Sequence, residues 1–244
     1  MRLALLLAAA LAAPALAQDP VTLVPGHPDL TMPDGPPVTG VTDVHMIEPE
    51  TQTLGLIWNE AHLDGDVLTL VSRTEIEMDF PARFDSTRLR WPSLTPLSDD
   101  ARQGVVVGSA TFSEGRVEGT YDGGQGALPF DFDLDAAVFS SSALPLLALA
   151  IPHEVGYSAV VPTFSAHNRF GNATLTVTGD EEVEIDEQTI RAVVVEQTGG
   201  DGLAGLFTQR HYIDPEARQL LYTSVRAPDG LFHFVPRTGA LGAE

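Results

Sequence analysis

Apolar and polar residues alternate along this chain in many short runs, the period-2 signature of half-buried strands. Thr53 to His62 puts Leu54, Leu56 and Trp58 on one face, and Asp66 to Met78 interleaves β-branched residues with charges. The same pattern recurs over Gly104 to Phe112, Arg116 to Tyr121 and Ala127 to Leu134. It returns over Val155 to Thr163, Asn172 to Thr178, Glu181 to Ile185, Thr189 to Gln197, Leu206 to Ile213, Arg218 to Val225 and Leu231 to Val235. Asp64-Gly65 and Glu114-Gly115 carry hairpin-turn chemistry, and Pro228-Asp229-Gly230 reads as a tight turn. One segment has helical character. Ser140 to Ile151 supplies Leu144, Leu146, Leu147, Leu149 and Ile151, with Ser142 as cap, Pro145 in the first turn and Pro152 as stop. It is apolar nearly all round, as a helix packed on a core must be. The expected fold is mainly β: a single antiparallel curved sheet or half-barrel, with one short apolar helix across its concave face.

The termini break the pattern. Met1-Arg2, the apolar run Leu3 to Ala13 and the small-x-small triplet Ala15-Leu16-Ala17 match a signal peptide cleaved after Ala17. The run falls short of the ~20 residues a spanning helix needs, and no later segment reaches that length. Residues 18–39 are rich in Pro, Gly and Asp and read as an extended leader, either strapped over the surface or disordered. Residues 40–237 form the expected β domain, and 238–244 a C-terminal tail. The protein is expected to be periplasmic or secreted.

Charge narrows the partners. The formal charge is −21, all 13 basic residues are arginine, and there is no cysteine. A strong negative field repels nucleic-acid phosphates and anionic membrane surfaces. The lack of cysteine removes thiolate nucleophiles, thiolate metal sites and disulfides.

Candidate chemistry is sparse. Asp131, Asp133 and Asp135 put carboxylates at every second position of one strand face, with Phe132 and Leu134 turned to the core. Such a row is a metal candidate, but i,i+2 side chains on a strand stand about 6.5–7 Å apart, whereas Ca²⁺ wants converging oxygens at about 2.3–2.6 Å. The seven histidines show no HExxH or other ligand spacing. His62 lies near Asp64 and Asp66, and His211 and His233 fall on strands expected to be neighbours, where they could face each other. Gly156-Tyr157-Ser158-Ala159-Val160 lacks the second glycine of a nucleophile elbow. No catalytic residue and no cofactor is assigned. A curved sheet capped by a Leu-rich helix can shelter an apolar cavity, for which Leu54, Leu56, Trp58, Leu144, Leu147, Phe164, Phe207 and Tyr212 are the candidate lining. The competing reading is that these side chains simply fill a close-packed core.

Several phrases resemble a known family. Asp85-Ser86-Thr87-x-Leu89 followed by Leu94-Thr95-Pro96-Leu97, then Thr120-Tyr121-Asp122-Gly123 and Val138-Phe139-Ser140-Ser141, are similar in order and spacing to phrases of secreted bacterial proteins in or beside the uncharacterised DUF3108 group. So are Pro152 to Tyr157, Leu175 to Glu181 and Tyr212 to Leu221. The chain departs at Asp186 to Ile190, which lacks the family's usual glycine, and at His211, where Tyr or Leu is more usual. The resemblance spans roughly residues 50 to 227. It implies a half-barrel like that of the periplasmic lipoprotein carriers and carries no known activity. The resulting expectation is an exported protein that binds a lipid, another apolar ligand or an envelope protein without catalysis. The alternatives are a structural or interaction module without a ligand, and an unrecognised hydrolase.

Overall fold

The computed structural model describes residues 19–36, 39–76, 81–167, 169–185, 187–200, 207–228 and 230–237. The expected signal peptide at 1–17 and the expected tail at 238–244 lie outside them. Among the described residues the chain opens with nine strands, β1 (Val21–Thr22), β2 (Gly40–Glu48), β3 (Gln52–Asp64), β4 (Val67–Ile76), β5 (Arg83–Arg90), β6 (Thr95–Gln103), β7 (Val106–Ser113), β8 (Arg116–Asp122) and β9 (Leu128–Asp133). After β10 (Phe139–Ser140), a 3₁₀ turn over Ser141–Ala143 leads into α1 (Leu144–Ala150). Then follow β11 (Ser158–Ser165), β12 (Arg169–Ile185), β13 (Gln188–Gly199), β14 (Thr208–Asp214), β15 (Gln219–Ala227) and β16 (Gly230–Pro236).

All sixteen strands join one unclosed sheet, in the order β1-β11-β12-β13-β14-β15-β16-β2-β3-β4-β5-β6-β7-β8-β9, with β10 also on β11. Two antiparallel meanders, β2 to β9 and β11 to β16, are stitched together by the β16–β2 pair. Among the described residues, only β1 and β10 run parallel to their neighbour, both along β11. The segments read as two strands at Asn172 to Thr178 and Glu181 to Ile185 are one strand, β12, bulged between Val177 and Gly179.

The sheet curls, as its core demands. Leu68 of β4 and Leu89 of β5 share one buried cluster with Val161 of β11, Leu175 of β12 and Val195 of β13. Strands that far apart in sheet order touch only when the concave face closes on itself. α1 fills that concavity, with every residue but Pro145 buried. Seven residues are too few to hold a helix in water, so packing holds it. Its entry differs from expectation: Ser140 caps the preceding 3₁₀ turn, its Oγ accepting the Ser142 N–H at 3.2 Å, and α1 itself starts from Ala143 with no side-chain cap where Ser142 was expected to supply one. Ile151 leaves the helix in extended conformation ahead of Pro152.

The leader is strapped on. Val21–Thr22 pairs with β11, Leu23 is fully buried, and Leu30 and Met32 pack against the same core. The Thr31 N–H donates to Ala150 O at 2.8 Å, closing the strap over the end of α1.

Candidate functional site

The expected cavity residues do not come together. Leu144 and Leu147 lie in the core around α1, while Phe164 belongs to a second cluster with Ala101, Ala110, Val117, Phe130, Val138 and Ala166. Tyr212 sits in a third cluster with Val183, Ala192 and Val194, on the sheet face opposite Val193 and Val195. Leu54 is buried at a bulge, where Val44 faces Gly55 and His45 faces Thr53, so β3 carries one extra residue. Beyond that bulge Leu56 and Trp58 share the face of exposed Glu60 and His62, opposite to core-facing Ala61 and Leu63. They line an open groove of about 350 Å³ with Gly55, Glu75, Ile76 and Ala82. Phe207 is half-buried just before β14.

The structure instead draws attention to a seam. The free edge β9 returns towards β11 and β12, and a chain of aromatic rings bridges the gap. Phe112 meets Phe164 edge-on at 5.4 Å between centroids, and Phe164 meets Phe130 at 5.9 Å and Phe170 at 5.2 Å. Phe132 stacks on Phe130 at 5.5 Å and meets Phe170 at 5.5 Å. Phe164 is fully buried, whereas Phe170 is 46% exposed, so the chain runs from core to surface. Where it emerges, Asp133, Leu134, Asp135, Ala136, Val138 and Phe170 line a cleft of about 260 Å³. Its apolar floor with an acidic rim suits an apolar group. Of the three aspartates proposed as metal ligands, Asp131 is held by Arg116, whose Nε donates at 2.7 Å, and Asp133 and Asp135 rim the cleft. Among the described residues no three His, Asp or Glu side chains converge as metal ligands.

A buried carboxylate fastens the other side of the seam. Asp99 of β6 is 2% exposed; its Oδ1 accepts from Thr87 Oγ at 2.8 Å and its Oδ2 from the Ala166 N–H at 3.2 Å. Burial raises its pKa to about 6 against the opposing pull of those two donors. The contact depends on Gly108 of β7, because a Cβ there would stand 2.4 Å from Ala166 O. Ser165 and His167 flank Ala166, so Ser, His and Asp meet in one small region. They do not form a triad: Ser165 Oγ accepts from the His167 backbone N–H at 3.2 Å, and both Asp99 oxygens go elsewhere. His167 Nε2 is buried without a partner among the described residues. Desolvation lowers the pKa of its ring.

The remaining histidines resolve differently from expectation. His211 and His233 do not face each other: His211 lies opposite Thr223, while His233 lies opposite Ser224 and His45 on the other face. His211 is buried between Thr223 Oγ and Gln197 Oε1, each at 3.0 Å, and desolvation lowers its pKa to about 4. It is therefore a neutral, hydrogen-bonded core histidine. His62 is exposed on β3.

Asp99 and Phe170 escaped the sequence reading. β6 reads TPLSDDARQ, with no apolar alternation to announce a strand. Phe170 stands beside a glycine and shows its neighbours only once the sheet has curled.

No helix among the described residues is long and apolar enough to cross a membrane. No curated protein matches the chain. Among solved structures, it is similar to a β-barrel-like protein of a domain of unknown function, DUF1849, from Brucella abortus. The TM-score is 0.57 at 12% identity, over 85% of this chain and 98% of that one, a likeness of fold. The family model DUF3108, described as a protein of unknown function, matches residues 44–228. By that match and the curled antiparallel sheet that accompanies it, the chain belongs to the DUF3108 family.

Proposed function

We propose that this chain is an exported bacterial envelope protein that acts by binding, taking an apolar group into the cleft at the seam between β9 and β12. The observation that carries the reading is the aromatic chain ending at half-exposed Phe170 beside that cleft. An aromatic side chain exposed at a concave, mostly apolar surface is a common anchor for ligands and partners. Volume refines the class of ligand. At about 260 Å³ the cleft lies just below the ~300–1,000 Å³ of sites that enclose drug-sized ligands. It suits the end of an acyl chain or a partner's side chain better than a whole lipid. The export pattern of Met1 to Ala17 supports the compartment.

Titrating the mature protein with the apolar dye N-phenyl-1-naphthylamine tests the site. Saturable binding, displaced by palmitate and abolished by Phe170→Asp with the melting temperature held, is the expected result. An unchanged titration in that variant, or no saturable binding, would remove the seam as the site.

A further inference from the structure

The convex side of the first meander carries a second feature, unconnected with the seam. Register places Trp58 of β3 opposite Arg73 of β4, Arg73 opposite Phe84 of β5, Phe84 opposite Arg102 of β6, and Arg102 opposite Val107 of β7. Residues directly opposite across antiparallel strands point to the same face, so these five side chains form one row running across the strands. At ~4.8 Å per strand the row is about 19 Å long. Arg73 lies over the Trp58 ring at 5.8 Å and is paired with Glu75. Phe84 is 43% exposed and Val107 37%.

The charges on this face are unusual for the molecule. Acids outnumber basic residues 34 to 13, and the described arginines on other parts of the surface are nearly all neutralised by an own carboxylate, as Arg90 is by Asp66 and Arg237 by Asp43. Arg218 instead donates to Thr31 O. Arg88 and Arg102 have no acidic partner among the described residues, and both are exposed on this face. Asp100, opposite Ser86, lies on the face between them. Two free guanidinium groups beside an exposed Phe and Val form a patch of the composition found at protein interfaces, where aromatic residues and Arg concentrate.

We infer that the outer face of β5 to β7 docks a protein partner whose surface sets carboxylates beside apolar side chains, the carboxylates meeting Arg88 and Arg102 and the apolar groups covering Phe84 and Val107. Arginine suits that task, because its planar fork meets a carboxylate through two parallel hydrogen bonds. A lipid surface is the weaker match. Anionic headgroups would have to approach a chain of net charge −21, which opposes adsorption over a wide area, whereas a folded partner need engage only the patch.

The test uses the mature chain and a dye-labelled synthetic peptide alternating Glu with Leu, read by fluorescence anisotropy. The expected result is saturable binding that weakens with added salt, is absent for the Lys-for-Glu peptide, and falls at least tenfold in the double variant Arg88→Ser/Arg102→Ser. Phe84→Ser weakens it independently of charge. All three positions are exposed, so thermal melting of the variants is expected to match the parent. Failure of the Glu–Leu peptide to bind, or equal binding by the double variant, overturns the inference. Preferential binding to phosphatidylglycerol vesicles would reassign the face to lipid. A dimer in sedimentation velocity that dissociates in the double variant would reassign it to a second copy of the chain.

Discussion

Two buried titratable side chains set opposite responses to acid. Asp99 has a folded pKa of about 6, above its ordinary 3.8, because burial disfavours its charge. Its contribution is fully present below pH 3.8 and is lost as the pH rises through 6. His211 has a folded pKa of about 4, below its ordinary 6.5, again through burial. Its contribution is present above pH 6.5 and is lost as the pH falls through 4. At 1.36 kcal/mol per unit, each amounts to about 3 kcal/mol, and the two pH dependences nearly cancel where they overlap, between pH 4 and 6. Asp99→Asn separates them. The amide keeps the shape, offering Oδ1 to the Ala166 N–H and Nδ2 to Thr87 Oγ, and carries no charge to desolvate. Urea unfolding should find this variant more stable than the parent by up to about 3 kcal/mol at pH 7 and level with it near pH 4. Lower stability than the parent at pH 7 would show that the carboxylate's charge, and not only its shape, holds the seam.

At the scale of elements, α1 owes its existence to the concavity it fills. Leu147 is fully buried in the main core, whereas Pro145, two residues earlier on the other side of the helix, is exposed. Leu147→Ala should therefore cost about 2–5 kcal/mol through lost transfer energy and the cavity left behind. Pro145→Ala should stay within about 1 kcal/mol, since it removes no core contact. Thermal or urea unfolding of the pair checks this, and equal losses would mean that the helix is held by its entry turn and not by its packing. The helix was legible in the sequence because Leu spacing, Pro145 and Pro152 all point the same way. β2, β5 and β6 were not. β5 (RFDSTRLR) fills its inward positions with Thr87 and Leu89, and β6 with Asp99 and Ala101. A polar residue can occupy such a position only because a tertiary partner satisfies it, and no local pattern encodes that partner.

For the whole molecule, the strap is the element that ties the proposed export to folding. Beyond the expected cleavage point at Ala17, Leu23 is fully buried and Leu30 and Met32 pack partly buried against the same core. Fully burying an apolar side chain of this size is worth about 1.5–3 kcal/mol, so Leu23 by itself supplies a sizeable share of the net stability of a small domain. The mature chain recovered from its own host is expected in the periplasm or medium, with Gln18 at its N-terminus by intact mass. A cytoplasmic chain retaining Met1 would remove the envelope from the proposed function. The curl is likewise a property of the whole. It brings β9 within ring contact of β12, sets Asp99 against Ala166, and leaves the outer faces of β5 to β7 open.

By itself the sequence determined which residues alternate, where several hairpins turn, that one helix lies ahead of Pro152, and which phrases relate the chain to its family. Those are local properties, written in spacing and turn chemistry. Only the tertiary structure decided which side of each run faces inward. In β13, Val193 and Val195 enter the main core while Ala192 and Val194 enter the outer cluster, so both faces are apolar and periodicity cannot choose between them. The bulges in β3 and β12 shift register partway along a strand, which is how Leu54 becomes buried while Leu56 and Trp58 turn outward. The seam follows from the same cause: its aromatic rings come from β7, β9 and the β11–β12 hairpin, and only closure of the sheet on its own hydrophobic face brings those stretches into contact.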